Sequence, residues 1–413
     1  MTTFSSQSLA DWLFHLENLH QSAIDMGLER VKAVAERAQL LPLAAKTLLV
    51  GGTNGKGSTC AMMESILRQG GYSVAVYSSP HLVDYRERLR LNQAMLSEEE
   101  HCQAFAAIEQ ARGEISLTYF EFSTLAALWL CKRHQPDVVI LEVGLGGRLD
   151  ATNIVDADVA VVTSIDLDHQ SFLGNSRESV AREKIGIARQ GRPLVCGEPD
   201  PTEVFFEEAA RIGPKLCWVG RDFIYEDQGQ HWVLEGNSWP RPGLPLPNAA
   251  TALTALKALG LPLKAEAIAS GLRLASLPGR MQQLSDSPLV LCDVAHNPHA
   301  ARYLNSELKR RFAGRPLHGV CAMLADKDIE GTLAALDSIS HWYPAELSGV
   351  GRAAPASRLA KALGAAQSYG TVIAAQQAAV KAAGTDGVVI VFGSFYTVAQ
   401  VLPKGSDGVQ SSN

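Results

Sequence analysis

Hydrophobic and polar positions along this chain alternate between short β-branched runs and longer stretches with helical spacing. The short runs predict strands at Thr47–Val50, Ser73–Ser78, Asp137–Glu142, Val159–Ile165 and Pro193–Cys196. Helices are predicted twice within residues 6–40, separated near Gly27, and then from starts near Lys56, Ser97, Phe120 and Arg177. Strands alternating with helices are typical of a mostly parallel sheet covered by helices.

The pattern changes after residue 220. Aromatic residues among Gly and Pro in the segment 220–247 predict irregular strands and turns, and a helix follows from Pro247 through Lys257. The Pro-Gly segment Leu277–Arg280 is interpreted as the connection that leaves a first domain. A second series of strands is then predicted at Leu289–Asp293, at His318–Met323, around Ala345–Gly349 and at Val388–Phe392.

These elements predict an α/β protein with two domains, as expected for 413 residues. Residues 1–283 would form a P-loop-type domain on a mostly parallel sheet. Residues 284–404 would form a smaller, Rossmann-like α/β domain. Residues 405–413, rich in Gly, Ser and Asp, are predicted to be a disordered tail.

Composition narrows the choice of partners and compartment. A net charge of −6 and a pI near 6.0 give no electrostatic reason to expect nucleic acid. The seven cysteines are scattered, which argues against a disulfide framework and favours a reducing compartment. The N-terminus lacks a signal-peptide pattern, and no apolar run approaches the roughly 20 residues that span a bilayer. We therefore expect a cytoplasmic protein without a membrane partner.

A glycine-rich segment, Gly51–Thr59, follows the first predicted strand and opens a helix. Glycines let backbone N–H groups approach phosphates, the helix N-terminus adds partial positive charge, and Lys56 would neutralise oxygens. Ser58 or Thr59 would contact a phosphate-bound Mg²⁺. The spelling differs from the common P-loop because Gly57 follows the lysine. The segment predicts triphosphate binding, and the alternative is a glycine-rich turn without a ligand.

Polar residues end three other predicted strands. Glu142 ends one, the segment Asp166–Gln170 follows another and contains His169, and Ser79 follows a third. Ligands of open α/β sheets lie beyond the carboxyl ends of strands, and hard cations prefer oxygen ligands. These residues therefore predict a metal site beside the phosphate loop. The alternatives are a Glu142–Arg148 ion pair, a helix-capping histidine and a turn hydroxyl.

Several segments, taken together and in order, resemble the Mur ligase superfamily. Within it they are similar to the folylpolyglutamate synthases of the bacterial bifunctional dihydrofolate synthase/folylpolyglutamate synthase type. The matching segments cover most of the chain, except residues 220–240 and the tail, and are Gly52–Thr59, Ser78–Leu82, Leu141–Asn153, Asp166–Gln170, Pro278–Arg280 and Asp293–Pro298.

The resemblance implies roles for individual residues. The ATP-binding residues would be Thr53, Asn54, Gly55, Lys56, Gly57, Ser58, Asn248, Arg280 and Asp293. The Mg²⁺ ligands would be Ser79, Glu142 and His169, for two ions. The dihydropteroate or folate site would comprise Asp25, Gly27, Leu28, Thr118, Tyr119, Phe120, Glu121, Leu149, Asp150 and Ala151. Lys56 and His296 are candidate catalytic residues, and Phe120 would offer an aromatic face to a pterin.

Lys184 is a special case. By its own pattern it is a solvated helix lysine, whereas the resemblance implies that it is carbamylated. Carbamylation requires a lysine that can lose its proton, and it replaces an ammonium with an anion that can face Mg²⁺.

The implied activity is that of a carbon–nitrogen ligase. ATP would phosphorylate the carboxylate of dihydropteroate, and L-glutamate would attack the acyl phosphate to give dihydrofolate. The same machinery would extend the γ-carboxyl group of tetrahydrofolates, and we expect a monomer. Three alternatives stay open at this point: a cell-wall amino-acid ligase of the same superfamily, a P-loop kinase or NTPase, and a non-catalytic nucleotide sensor.

Overall fold

A computed structural model describes residues 7–403 of the chain. The predicted tail, 405–413, lies outside the described residues. The chain divides into two compact units, Met1–Ser276 and Leu277–Asn413. The predicted boundary at 283/284 is therefore placed too late, because Gln282 and Gln283 already pair with Cys292 and Leu291 in a strand of the second unit.

The first unit is built on a sheet that, within the described residues, has eight strands. Its strands are β1 (Lys46–Gly51), β2 (Val74–Tyr77), β3 (Leu89–Leu91), β4 (Ala94–Met95), β5 (Val138–Glu142), β6 (Val159–Val162), β7 (Pro193–Cys196) and β8 (Lys215–Trp218). Their order is β4-β3-β2-β5-β1-β6-β7-β8. In this order, neighbouring strands from β2 through β5, β1, β6 and β7 to β8 pair in parallel. At the other edge β3 pairs antiparallel with both β2 and β4.

Helices cover this sheet. They are α1 (Leu9–Glu17), α2 (Glu29–Arg37), α3 (Lys56–Gln69), α4 (Glu98–Arg112), α5 (Tyr119–His134), α6 (Gln170–Leu173), α7 (Arg177–Ile185), α8 (Glu203–Ile212), α9 (Leu246–Leu259) and α10 (Ala265–Leu274). Local sequence explains several starts, because α1, α4 and α5 each begin with a capping box, in which a hydroxyl and an acidic side chain satisfy the first backbone N–H groups.

The aromatic segment after residue 220 forms a small antiparallel sheet, as its irregular pattern predicts. Its strands are β9 (Tyr225–Asp227), β10 (His231–Leu234) and β11 (Asn237–Pro240). Trp232 on the central strand is fully buried, and its indole N–H donates to the carbonyl of Pro240 at 3.0 Å.

The second unit is a smaller α/β unit. Its strands are β12 (Gln282–Asp286), β13 (Leu289–Asp293), β14 (Leu317–Cys321), β15 (His341–Pro344) and β16 (Val388–Phe392), in the order β12-β13-β16-β14-β15. Its helices are α11 (Pro298–Arg311), α12 (Ile329–Ala334), α13 (Ala356–Leu363), α14 (Val372–Ala383) and α15 (Phe395–Ala399). All pairings are parallel except β12 with β13.

One strand of this unit was predicted in the wrong place. The prediction around Ala345–Gly349 is wrong because β15 ends at Pro344. Trp342 and Tyr343 supply the aromatic side chains that favour a strand, and they pair with Gly319 and Val320. Beyond the proline, an isolated bridge pairs Ala345 with Tyr369.

The predicted α/β class and its mostly parallel sheet are confirmed. Each unit has its own apolar core, one running from Leu9 to Ala209 and the other from Leu291 to Phe392. Among residues 7–403, no helix combines the length and the apolar character needed to cross a membrane.

Candidate active site

The phosphate loop joins β1 to α3, in the strand–loop–helix order that the sequence predicts. Two of its glycines have positive φ and no room for a side chain. A Cβ on Gly52, at φ +148°, would lie 1.9 Å from Thr163 Oγ1. A Cβ on Gly55, at φ +86°, would lie 2.6 Å from Asn248 Oδ1. The predicted nucleotide residue Asn248 is thus packed directly against the loop.

The end of β6 holds the loop through hydrogen bonds that the sequence did not reveal. Thr53 N donates to Ser164 O at 2.9 Å, and Asn54 N donates to Ser164 Oγ at 2.9 Å. Thr163 Oγ1 donates to Asn54 O at 2.6 Å. Lys56 Nζ lies over the loop and donates to Gly52 O at 2.9 Å. A polar pair at the end of an otherwise apolar strand was the available signal for Thr163 and Ser164.

The two candidate hydroxyls at the start of α3 differ in their partners. Thr59 Oγ1 donates to Gly55 O at 2.9 Å, so it is engaged by its own helix. Ser58 is buried, and across the described residues its hydroxyl has no hydrogen-bond partner. The geometry therefore favours Ser58 as the hydroxyl for a phosphate-bound cation.

The three predicted metal ligands lie at one edge of the sheet. Ser79 and Glu142 follow or end β2 and β5, and His169 lies beyond β6. These strands, with β1 among them, are parallel neighbours in the order β2-β5-β1-β6, so their carboxyl ends are adjacent. Glu142 pairs in register with Val50, directly before the phosphate loop, and is buried.

At this edge a carboxylate and a hydroxyl offer the oxygen ligands that a hard divalent cation prefers, and His169 adds an imidazole nitrogen. His169 is exposed and has φ +50°, at the start of α6. Within residues 7–403 no three or more His, Cys, Asp or Glu side chains cluster as a complete metal site.

Lys184 is buried, contrary to its own helical pattern. Its side chain lies on the inner face of α7, and 3% of the residue is exposed. Burial is the main cause that lowers its pKa to about 7, and the charge of Lys56 adds to the effect. Asp168, Asp150 and Glu183 oppose the shift. Lys184 is therefore close enough to the phosphate-loop lysine to feel its charge, and its lowered pKa favours the neutral amine.

The segment after β5 packs tightly between α5 and α7. A Cβ on Gly144 would lie 2.6 Å from the ring of Phe120, and a Cβ on Gly147 would lie 2.7 Å from Glu183 O. Phe120 is half-buried, and its ring centroid lies 6.0 Å from that of Tyr77. Close backbone approach at the two glycines thus places this loop beside the predicted pterin contact.

Asp150, which is predicted to contact substrate, forms hydrogen bonds within its own loop. Its carboxylate accepts from Leu145 N at 2.9 Å and from Thr152 Oγ1 at 2.6 Å. Burial raises its pKa, and these hydrogen bonds work against that shift. Its neighbour Ala151 is buried as well, whereas Leu149 is half-buried.

The other two predicted substrate segments are joined by an arginine that the sequence did not single out. Arg30 contacts Asp25 Oδ2 at 2.8 Å and Glu121 Oε1 at 2.9 Å. Glu121 also accepts from Thr118 N at 2.7 Å in the capping box of α5. Arg30 therefore ties Asp25–Leu28 to the start of α5, which carries Tyr119 and Phe120.

In the second unit, three predicted residues meet at the carboxyl end of β13. Asp293 accepts from Met281 N and Ala295 N, each at 2.9 Å, and burial raises its pKa while the charge of Arg280 opposes the rise. His296 Nδ1 lies 2.9 Å from Val294 O. Arg280 Cζ lies 5.9 Å from the ring centroid of Phe395, and His296 lies 6.3 Å from it. Phe395 was not predicted.

Comparison with known proteins gives this geometry a context. Residues 50–221 match the family model of the Mur ligase middle domain, and residues 279–395 match that of the Mur ligase glutamate ligase domain. The dihydrofolate synthase/folylpolyglutamate synthase of Escherichia coli K12 is 51% identical over 407 residues, covering 97% of this chain and 96% of that protein. The Haemophilus influenzae protein of the same name is 41% identical, with coverages of 96% and 97%.

Solved structures agree. The structure of E. coli FolC in complex with DHPP and ADP has a TM-score of 0.94 and 51% identity, covering 97% of this chain and 98% of that one. A bifunctional folylpolyglutamate synthase/dihydrofolate synthase with Mn, AMPPNP and L-glutamate bound has a TM-score of 0.91, 51% identity and the same coverages.

The phosphate loop, the two-unit α/β fold and these matches define an ATP-binding carbon–nitrogen ligase of the Mur type. Two separate family models place that class on the two units of the chain. Within the class, the chain belongs to the dihydrofolate synthase/folylpolyglutamate synthase family.

Proposed function

We propose that this protein joins L-glutamate to dihydropteroate, forming dihydrofolate, and also to the γ-carboxyl group of tetrahydrofolates. One observation carries the proposal. A phosphate loop lies next to the buried Glu142, which pairs with Val50, and next to the loop whose Gly144 contacts the ring of Phe120. The proposed sites for a triphosphate, a cation and an aromatic acceptor would thus lie along one sheet edge, as a carboxylate-activating ligase requires.

The reaction proceeds through an acyl phosphate. An oxygen of the acceptor carboxylate attacks the γ-phosphorus of ATP, the bond to the β-phosphate oxygen breaks, and ADP leaves with the electron pair. The amine of L-glutamate then attacks the acyl carbon, releasing phosphate and a proton. Lys56 and the backbone N–H groups of the loop hold the phosphates and offset charge as the phosphoryl group moves. No nucleophilic side chain is needed, because positioning and electrostatics supply the catalysis.

Divalent cations complete the proposed phosphate site. Ser58, Ser79, Glu142 and His169 are the residues that would hold two Mg²⁺ ions. The ions would supply positive charge to the phosphoryl oxygens. Glu142 is buried and Ser58 is buried with its hydroxyl unengaged by described residues, which supports this assignment.

Lys184 is proposed to carry a carbamate. Its neutral amine adds to CO₂ and loses a proton, giving an anion in place of an ammonium. Its burial and its pKa of about 7 support the proposal, because an ordinary lysine is almost wholly protonated at neutral pH. An anion there would also remove the repulsion from Lys56.

The remaining assignments follow the same family relationship. Asn248, Arg280 and Asp293 are proposed to bind the nucleotide, and His296 is proposed as a catalytic residue. The protein is proposed to be a cytoplasmic monomer. All seven cysteines are free thiols, which suits a reducing compartment.

A four-component assay tests the function. Purified protein with ATP, Mg²⁺, dihydropteroate and L-glutamate should form dihydrofolate and ADP in equal amounts. Tetrahydrofolate in place of dihydropteroate should give the glutamylated product. ADP formation that does not depend on glutamate would contradict the ligase assignment and favour an NTPase. Turnover only with a different acceptor acid would indicate another amino-acid ligase of the Mur type.

A further inference from the structure

Arg88 differs from its neighbours in having no carboxylate partner among residues 7–403. The flanking arginines are paired: Arg86 contacts Asp84 at 2.7 Å, and Arg90 contacts Glu64 at 2.8 Å. Within the described residues, Arg88 forms no ion pair. Arg88 is only partly exposed, so its charge lies in a partly desolvated place without an ion-pair partner from the described part of the chain.

Three other contacts hold the Arg88 side chain in position. Its Nε donates to His81 Nδ1 at 2.9 Å, so that ring nitrogen carries a lone pair and no proton. Its Cζ lies 5.2 Å from the ring centroid of Tyr119 and 5.8 Å from that of Tyr85. Two aromatic faces and one acceptor orient the guanidinium without neutralising it.

The location of Arg88 connects two parts of the candidate site. Its carbonyl accepts from Ser78 N at 2.8 Å, next to the predicted metal ligand Ser79. Its guanidinium lies against Tyr119, which adjoins Phe120 in the proposed folate segment. Arg88 therefore contacts both the end of the strand that precedes Ser79 and the first turn of α5.

We propose that Arg88 binds the carboxylate of the folate-type acceptor and orients it for attack on ATP. The inference rests on the proposed function. A guanidinium has five N–H donors in a planar fork, and the hydrogen bond to His81 uses only one of them. The two terminal nitrogens match both oxygens of a carboxylate. Arg88 also offsets the repulsion between that carboxylate and the triphosphate.

Two pteroate ligands separate this role from a purely structural one. Binding of dihydropteroate and of its carboxamide, which has no charge at the same position, is measured by calorimetry without ATP. The wild type should bind the acid at least tenfold more tightly than the amide, as expected for hydrogen bonds between charged groups. In Arg88→Gln that preference should disappear, and Arg88→Lys should keep part of it.

Arg86→Gln is the matched control, since it lies in the same 3-10 helix, Tyr85–Arg88, and should retain the full preference for the acid. In turnover, Arg88→Gln should raise the KM for dihydropteroate about tenfold or more and leave the KM for ATP within about twofold.

An unchanged acid-to-amide ratio in Arg88→Gln would overturn the proposal. So would a wild-type protein that binds both ligands equally, a result that does not depend on the variant folding. Failure of the wild type to convert dihydropteroate at all would instead count against the proposed function.

Discussion

At the residue scale, Gly55 offers a direct test of the phosphate loop. Gly55→Ala combines left-handed strain with a clash, because its Cβ would lie 2.6 Å from Asn248 Oδ1. Gly71 has a similar φ of +87°, and apart from its chain neighbours no described atom lies within 4 Å of its Cβ position. We expect Gly71→Ala to lower the free energy of unfolding by about 1–2 kcal/mol and Gly55→Ala to lower it further.

Urea unfolding of the first unit measures both costs. In an Asn248→Ala background, Gly55→Ala should lower the free energy of unfolding by no more than Gly71→Ala does. The reason is that the side-chain amide of Asn248, which would clash with the new Cβ, is then absent. If Gly55→Ala destabilises the protein more than Gly71→Ala by the same amount with and without Asn248, then Asn248 does not limit the space at Gly55.

Lys184 gives a pH-dependent prediction. Only a neutral amine adds CO₂, and a pKa of about 7 leaves a large neutral fraction at pH 8. As the pH falls through 7 the amine gains its proton, so the carbamate signal from ¹³C-bicarbonate should weaken and be nearly lost by pH 5. NMR measures this signal. It should be absent in Lys184→Ala and persist in Lys257→Ala, whose lysine side chain is 69% exposed in the native protein.

Activity should follow the carbamate. We expect Lys184→Ala to lose about 10- to 100-fold in turnover, as is typical when a group supporting a metal site is removed. Added short carboxylates should restore part of that loss by replacing the anion. Wild-type turnover in Lys184→Ala would remove the carbamate hypothesis.

At the element scale, the start of α5 links helix stability to substrate binding. Thr118 caps α5 and Ser97 caps α4, each in a capping box with an acidic partner three residues later. Thr118→Ala and Ser97→Ala should each cost about 1 kcal/mol of stability. Only Thr118→Ala should also raise the KM for dihydropteroate, because α5 carries Tyr119 and Phe120 in its first turn. Equal KM values for dihydropteroate in the two variants would mean that the start of α5 does not contribute to folate binding.

At the scale of the whole molecule, two separate cores predict more than one cooperative unfolding unit. Leu194 lies in the core of the first unit and Phe392 in that of the second, and both are fully buried. Leu194→Ala and Phe392→Ala should each lower the free energy of unfolding by about 2–5 kcal/mol, and each should affect the unfolding transition of its own unit. Calorimetry checks this, and a single transition lowered equally by both variants would contradict it.

Much of the fold could be predicted because strong periodic patterns are local. The long apolar strands β1, β5 and β16 and the capped helices α4 and α5 were all found near their observed positions. The short strands β3, β4, β8 and β12 were missed, since a few residues at or near a sheet edge carry little pattern. The strand predicted around Ala345–Gly349 was wrong because sheet pairing selected the preceding aromatic residues instead.

The sequence by itself determined the phosphate loop, since its glycines, lysine and hydroxyls are consecutive and their chemistry does not depend on distant residues. Only the tertiary structure decided what surrounds each group. It buried Lys184, joined Asp25 to Glu121 through Arg30, engaged Asp150 within its own loop and, among the residues that the structure describes, left Arg88 without a carboxylate partner. The physical reason is that burial and charge pairing depend on side chains far apart in sequence, which no local pattern specifies.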